Sequence, residues 1–312
     1  MSHPGAEAFE RVGGRYEVRV LEPSPPAVND PPWFADDPVA RGEVPPDRLV
    51  ISPVATGDLL WEELAAQDED LAGWCAERWL AAYRRLGPAP GSLEQTRLGL
   101  HRLTEQLMSP ARAKANGKIA LRYTRGGLGT PFFGQDVQIR VAGDELIVEQ
   151  AGRERAAKIS TLAAAADHVG RDLLPDDLAL DDSPLGVDPA AARFLGDWYG
   201  FACNVLETLR AGAGEQADPS RVQLWAEHFD LAVELGSEDA GRRAGYGCSP
   251  GDEHHPEPYL YVAPWVARAP GELWQATGFN GAEMSYAELL SADDQRALAL
   301  KFFGDRLAAL VT

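Results

Sequence analysis

The chain is short of cysteine, short of positive charge and without a long apolar run, and each shortage removes a class of function. Its three cysteines, Cys75, Cys203 and Cys248, are too few and too scattered for a disulfide framework or a CxxC metal knuckle. Cys75 and Cys203 stand beside aromatic residues in helical patterns and read as small core residues. Cys248, in a glycine-rich stretch next to Ser249, reads as a half-buried loop thiol, with a nucleophilic role as the alternative. Lys and Arg total 29 against 48 Asp and Glu, a formal charge of -19. No broad surface can then track phosphates, and nucleic acid is not expected as a partner. No stretch of about 18 apolar residues occurs, so no membrane partner or span is expected. The opening residues MSHPGAEAFERVGG lack the basic start and apolar segment of a signal peptide, which makes the cytoplasm the expected location.

What is present is a normal share of core-forming residues, 45% hydrophobic over 312 positions, patterned as helices and strands in turn. Arg15 to Glu22 alternates like a strand. A proline-rich arm follows to about residue 48, with Trp33 and Phe34 as anchors, since proline fixes extended backbone and denies ladder donors. A short strand is expected over 49–54 and helices over 58–66 and 71–86, with Trp61, Trp74, Trp79 and Tyr83 as core. Ser92 and Gln95 have capping-box spacing before a stripe of Leu93, Leu100, Leu103 and Leu107. Ser109-Pro110 reads as a fresh helix start and Asn116-Gly117 as a left-handed stop. Arg97 and His101, one turn apart, are expected to face solvent or a neighbouring helix.

From Lys118 the period changes to that of strands: KIALRYT, VQIRV and ELIVEQ, then a helix from Ile159 to Val169. Gly126, Gly127 and Gly129 lack the helix start that a phosphate cradle needs, and read as a close approach to another backbone. The acidic connector over 171–188 is the candidate boundary, followed by a helix from Asp188-Pro189 to Gly212. Later, ELWQATGF reads as a strand, Met284 to Leu290 as a helix, and Ser291 as the cap of the last one. The organisation expected is an N-terminal strand and arm (1–55), a helical segment with a first α+β half (56–170), and a second α+β half (171–312).

Chemistry concentrates between Trp225 and Trp265. Val222 to Leu235 is expected to form one strand with Phe229, Leu231, Val233 and Leu235 on one face and His228, Asp230, Ala232 and Glu234 on the other. A turn-rich loop then carries Asp252, Glu253, His254 and His255 towards the strand PYLYVAPW. If the loop meets the His-x-Asp face, His228, Asp230 and Glu253 are candidate catalytic groups, because a histidine held by a carboxylate is the usual general base. His254 and His255 are candidate ligands for a divalent metal, although no recognised spacing such as HExxH is present. Arg242, Arg243 or Arg122 could hold an acidic group of a substrate, and Tyr246, Tyr259, Tyr261 and Trp265 could wall it. The plainer reading of the same residues is a solvated strand face and an acidic loop with exposed histidines.

The two halves repeat one order of elements: helix, strand GKIALRYT, loop GGLGTPFF, strands VQIRV and ELIVEQ, helix; then helix, strand EHFDLAVEL, loop GYGCSPGDEHHPEP, strands YLYVAPW and ELWQATGF, helix. The expected fold is therefore α+β, a mainly antiparallel sheet with packed helices, in two related helix-plus-three-strand halves.

The segments TRLGLHRLTEQLMSPARAKANGKIALRYTRGGLGTPFF and HFDLAVELGSEDAGRRAGYGCSPGDEHHPEPYLYVAPW resemble a family of uncharacterised actinobacterial proteins. The second is also loosely similar to a broader bacterial domain family of unknown function, with an FDLAV-type strand, a PG-type turn and an aromatic YxY strand. The resemblance covers residues 90 to 310. It implies a bacterial, cytoplasmic α+β protein and carries no assigned activity. Three functions fit the residues: a small-molecule-processing or metal-dependent hydrolytic enzyme, a non-catalytic small-molecule-binding protein, and an interaction or scaffold protein using the proline-rich arm.

Overall fold

The structure, a computed structural model, describes residues 9–12, 15–18 and 85–311, apart from 125, 132, 134–136, 151–152 and 214–216. The proline-rich arm with Trp33 and Phe34, the strand over 49–54, the helices up to residue 84, Cys75, Trp61, Trp74, Trp79 and Tyr83 lie outside them. Strands β1 (Phe9–Val12) and β2 (Arg15–Val18) form an antiparallel hairpin.

Helix α1 (Leu93–Leu103) does not stop where Ser109-Pro110 suggested a new start. It runs through a π turn (Thr104–Met108) into α2 (Ser109–Asn116). Pro110 has no N–H and its ring crowds the carbonyl four residues back, and the wider turn just before it removes that conflict. Ser92 makes no cap bond; its hydroxyl donates instead to Asp188 (3.0 Å). Gly117, at φ 73°, ends the run in the left-handed conformation that the Asn-Gly pair predicted.

Five strands follow as an up-and-down antiparallel meander: β3 (Arg122–Thr124), β4 (Gly127–Gly129), β5 (Val137–Ala142), β6 (Glu145–Gln150) and β7 (Arg153–Lys158). Helix α3 (Leu162–Val169) closes the half, with the Thr161 hydroxyl accepting from the Ala164 N–H. The second half repeats the plan. Helix α4 (Pro189–Gly212) is capped by Asp188, and the meander is β8 (Gln223–Trp225), β9 (Asp230–Leu235), β10 (Ala244–Ser249), β11 (Tyr259–Pro264) and β12 (Ala282–Ser285). Helix α5 (Tyr286–Ser291) opens on a capping box of Ser285 and Glu288, and α6 (Gln295–Val311) follows it. Both leading helical runs, 93–116 and Pro189–Gly212, are 24 residues long. The fold is α+β as expected, with five strands in each half where three were read.

Among the described residues, one backbone bridge joins the two five-stranded sheets. Leu121 and Leu224 exchange backbone hydrogen bonds (2.7 and 2.9 Å), which places β3 beside β8. Helix α4 packs across both sheets, and Gly196 makes this close approach workable because a Cβ there would overlap the Gly126 carbonyl. Trp198, Tyr199, Phe201, Leu103 and Leu107 are essentially unexposed in one continuous core. Each such side chain contributes on the order of 2 kcal/mol through removal from water. The acidic connector is also pinned down: Leu174 and Leu185 are buried in that core, and Arg102 pairs with Asp181. Among the described residues no helix is long and apolar enough to cross a membrane.

Candidate functional site

Register decides which side chains gather. Cys248 pairs with Leu231 and Leu260, Tyr246 with Val233 and Val262, so these residues share the face that α4 covers, and all are almost fully buried. Alternation puts Asp230, Ser249, Tyr259, Tyr261 and Glu283 on the opposite face. The turn 226–229, the loop 250–258 and the end of β12 all lie at one end of the sheet, and the candidate groups collect there.

The expected strand over 222–235 is broken by that turn. Phe229 adopts φ 57°, a conformation uncommon for a bulky residue. It is held by the Tyr199 hydroxyl, which donates to its carbonyl (2.7 Å), and by rings on both sides, His101 stacked at 5.2 Å and Tyr199 edge-on at 5.6 Å. His228 sits in the turn and is exposed, so it does not stand beside Asp230 on a strand face.

Asp230 is only 4% exposed. Its Oδ2 accepts a hydrogen bond from the Tyr261 hydroxyl, which reaches across β10 from β11. Gly247, the residue between them, makes this crossing feasible, because any Cβ there would overlap the tyrosine ring. Burial pushes the Asp230 carboxyl above its ordinary value, against the Tyr261 hydrogen bond and the nearby His228 and His101 imidazoles. Its Oδ1 is buried with no hydrogen-bond partner among the described residues.

Asp252 organises the loop. Its Oδ1 accepts from the backbone N–H of His254 (2.7 Å) and His255 (2.8 Å), and its Oδ2 accepts from the Tyr259 hydroxyl (2.7 Å). The His255 Nδ1 lies 3.1 Å from Oδ1. Burial acts to raise the Asp252 carboxyl, but these hydrogen bonds, Tyr259 foremost, outweigh it and hold the group at about 2. On its other side His255 places Nε2 3.5 Å from Glu283 Oε2, and its ring lies 4.2 Å from that of Tyr259. Glu283 Oε2 has no hydrogen-bond partner among the described residues.

The predicted constellation is thus divided. Asp230 joins Tyr261, His255 joins Asp252 and Tyr259, and the adjacent His254 and Glu253 point into solvent at 77% and 85% exposure. Among the described residues no group of three or more His, Cys, Asp or Glu side chains is placed to hold a metal ion. Arg242 is exposed. Arg243 is committed to Asp218 (2.9 Å) and Glu234 (3.1 Å) and lies under Trp265, which is otherwise exposed. Arg122 is buried on β3, in the first half. Tyr246 is fully buried against Phe303 and walls nothing at this end. Cys248 is a strand residue, not a loop thiol, and complete burial raises it far from the thiolate form a nucleophile needs.

Three participants were missed. Arg97 and His101 are expected to face solvent or a neighbouring helix; instead Arg97 is 5% exposed beneath a loop, and the half-buried His101 ring stacks on Phe229. A Cβ at Gly251 would be 2.9 Å from Arg97 Nη1, so the guanidinium lies directly beneath the loop. The signal was available: Arg97 follows Leu93 by four residues and precedes Leu100 by three, on the apolar stripe itself. Glu283 escapes a reading of the sequence because ELWQATGF has the pattern of the strand. That segment, preceded by Pro270-Gly271, forms a turn and a run of bends through Gly278, and Ala282–Ser285 pairs with β11 instead. Compared with protein-family models, with curated proteins and with solved structures, the chain finds no match in any of the three.

Proposed function

We propose that the chain binds a small organic molecule rich in hydrogen-bond donors, a cation above all, at the polar end of its second sheet. One observation carries this reading. Two buried carboxylate oxygens flank Tyr261 without a hydrogen bond among the described residues: Asp230 Oδ1 has no donor, and Glu283 Oε2, on the residue paired with Tyr261 across the strands, has only a 3.5 Å approach to His255 Nε2. A buried acceptor left open costs about 1–3 kcal/mol, which a ligand N–H would recover. Tyr259 and Tyr261, with ring centroids 6.1 Å apart, supply faces that attract cations, and the formal charge of -19 draws cations towards the molecule.

A second reading, an enzyme with His255 as general base held by Asp252, is favoured by that hydrogen-bonded pair. It ranks lower because Glu283 stands where the base would meet its proton. The test is thermal unfolding with agmatine and cadaverine, with glutarate as the anionic control. At about a hundredfold over Kd, linkage stabilises by roughly 2.7 kcal/mol, an upward shift of about 5–10 °C for a body of this size, reduced in Glu283→Gln. No shift with either amine at saturating concentration overturns the reading.

A further inference from the structure

We infer that the ligand is a zwitterion, an α-amino acid, whose carboxylate is taken by Arg97 and whose ammonium is taken by Asp230. The inference rests on the binding reading above and adds the chemical class. Arg97 and Asp230 are both more than nine-tenths buried, carry opposite charge and have open atoms: Nε and Nη1 of the arginine, Oδ1 of the aspartate. No ion pair joins them among the described residues, so neither satisfies the other.

They nevertheless border the same place. Cys248 pairs with Leu231, which sets Ser249 beside Asp230, and the Ser249 hydroxyl accepts from the N–H of Gly251, the residue that Arg97 underlies. Phe229, the neighbour of Asp230, stacks on His101, one turn along from Arg97 on the same face of α1. His101 Nε2 is a further buried polar atom without a hydrogen-bond partner among the described residues. The open nitrogens of Arg97 and His101 therefore reach this region from α1, beside Gly251 and Phe229, and the open carboxylate oxygen of Asp230 reaches it from β9. Bridging water could complete the hydrogen bonds, but only a ligand with both charges also neutralises the two buried ions. A carboxylate matches the guanidinium in geometry as well as in charge. Glu283 and the tyrosine faces lie along the sheet beyond Asp230, which favours a basic side chain.

The experiment is isothermal titration of the full chain at neutral pH with L-arginine against agmatine, and L-lysine against cadaverine, pairs that differ only by the carboxylate. The expected result is that each amino acid binds at least about tenfold tighter than its amine. Arg97→Met should bring the amino acid down to the level of the amine while leaving the amine unchanged. Equal or tighter binding of the amines to the unaltered protein overturns the zwitterion and leaves cation binding standing. Failure of all four compounds, and of the remaining protein amino acids by thermal shift, removes both readings. The unaltered protein alone decides the matter if Arg97→Met does not fold.

Discussion

Two glycines on one strand offer a controlled perturbation of the site. Gly245 and Gly247 lie two residues apart on the same face of β10, yet a methyl group at Gly245 meets nothing within 4 Å, whereas one at Gly247 overlaps the Tyr261 ring and hydroxyl. In a strand, alanine is favoured over glycine by roughly 0.5–1 kcal/mol through the entropy of the unfolded chain. Gly245→Ala should therefore stabilise by about that amount. Gly247→Ala gains the same increment, but it must displace Tyr261. Overpacking costs about 1–3 kcal/mol, and the lost hydrogen bond to the Asp230 carboxyl about 1.5–3 kcal/mol more. The net expectation is destabilisation by roughly 2–5 kcal/mol. Urea unfolding followed by tryptophan fluorescence measures both variants, and their difference cancels the intrinsic alanine term. If Gly247→Ala unfolds within about 0.5 kcal/mol of Gly245→Ala, Tyr261 does not cross the strand as described, and the link between β11 and Asp230 fails.

The remaining expectations concern pH and one buried amide. Asp252, held at about 2 in the folded state, stabilises above its unfolded value of about 3.9, and this is lost as pH falls towards 2. Because its side chain is 38% exposed, the size is on the order of 1 kcal/mol after solvent screening; Asp252→Asn should flatten the acid limb, and an unchanged limb refutes it. Asp230 has the opposite sign. Its raised folded value means its contribution is greatest below about pH 4 and declines as pH rises through the unfolded towards the folded value. Asp230→Asn should remove that decline, and a stability profile that keeps it excludes Asp230 as the source. Gln295 is unexposed and bonds both the N–H (2.8 Å) and the carbonyl (3.1 Å) of Leu86. Gln295→Leu leaves both backbone groups open and should cost about 2–4 kcal/mol in the same urea assay; a loss below 0.5 kcal/mol refutes it.

Much of the architecture was legible where one physical rule acted alone. The Asp188-Pro189 start, the Gly117 stop and the strands 137–142, 145–150 and 259–264 follow from capping, left-handed glycine and alternation. Strand β7, RERAAK, was not read because it is an exposed edge with no apolar face, held by its pairing to β6 rather than by burial. The break at Phe229 could not be read either, since nothing local announces a phenylalanine at positive φ; Tyr199 and His101, far off in the chain, hold it. At the site, whether the polar strand face would meet the loop is open from sequence; register places Asp230 and the loop at the same end of one sheet, with His228 out in a turn. Which imidazole turned inward depended on Asp252 capping its own turn, and so His255 was kept and His254 released.

The junction at Leu121 and Leu224, the one bridge between the two five-stranded sheets among the described residues, bears on how the polypeptide acquires its shape. Every other strand neighbour in either sheet is also the next strand along the chain. Each meander can zip from adjacent hairpins without waiting for its counterpart, and loop-closure entropy is spent mainly once, at the seam. Assembly should thus resemble the docking of two self-organising pages along a common spine, with α4 as the binding that reaches into both.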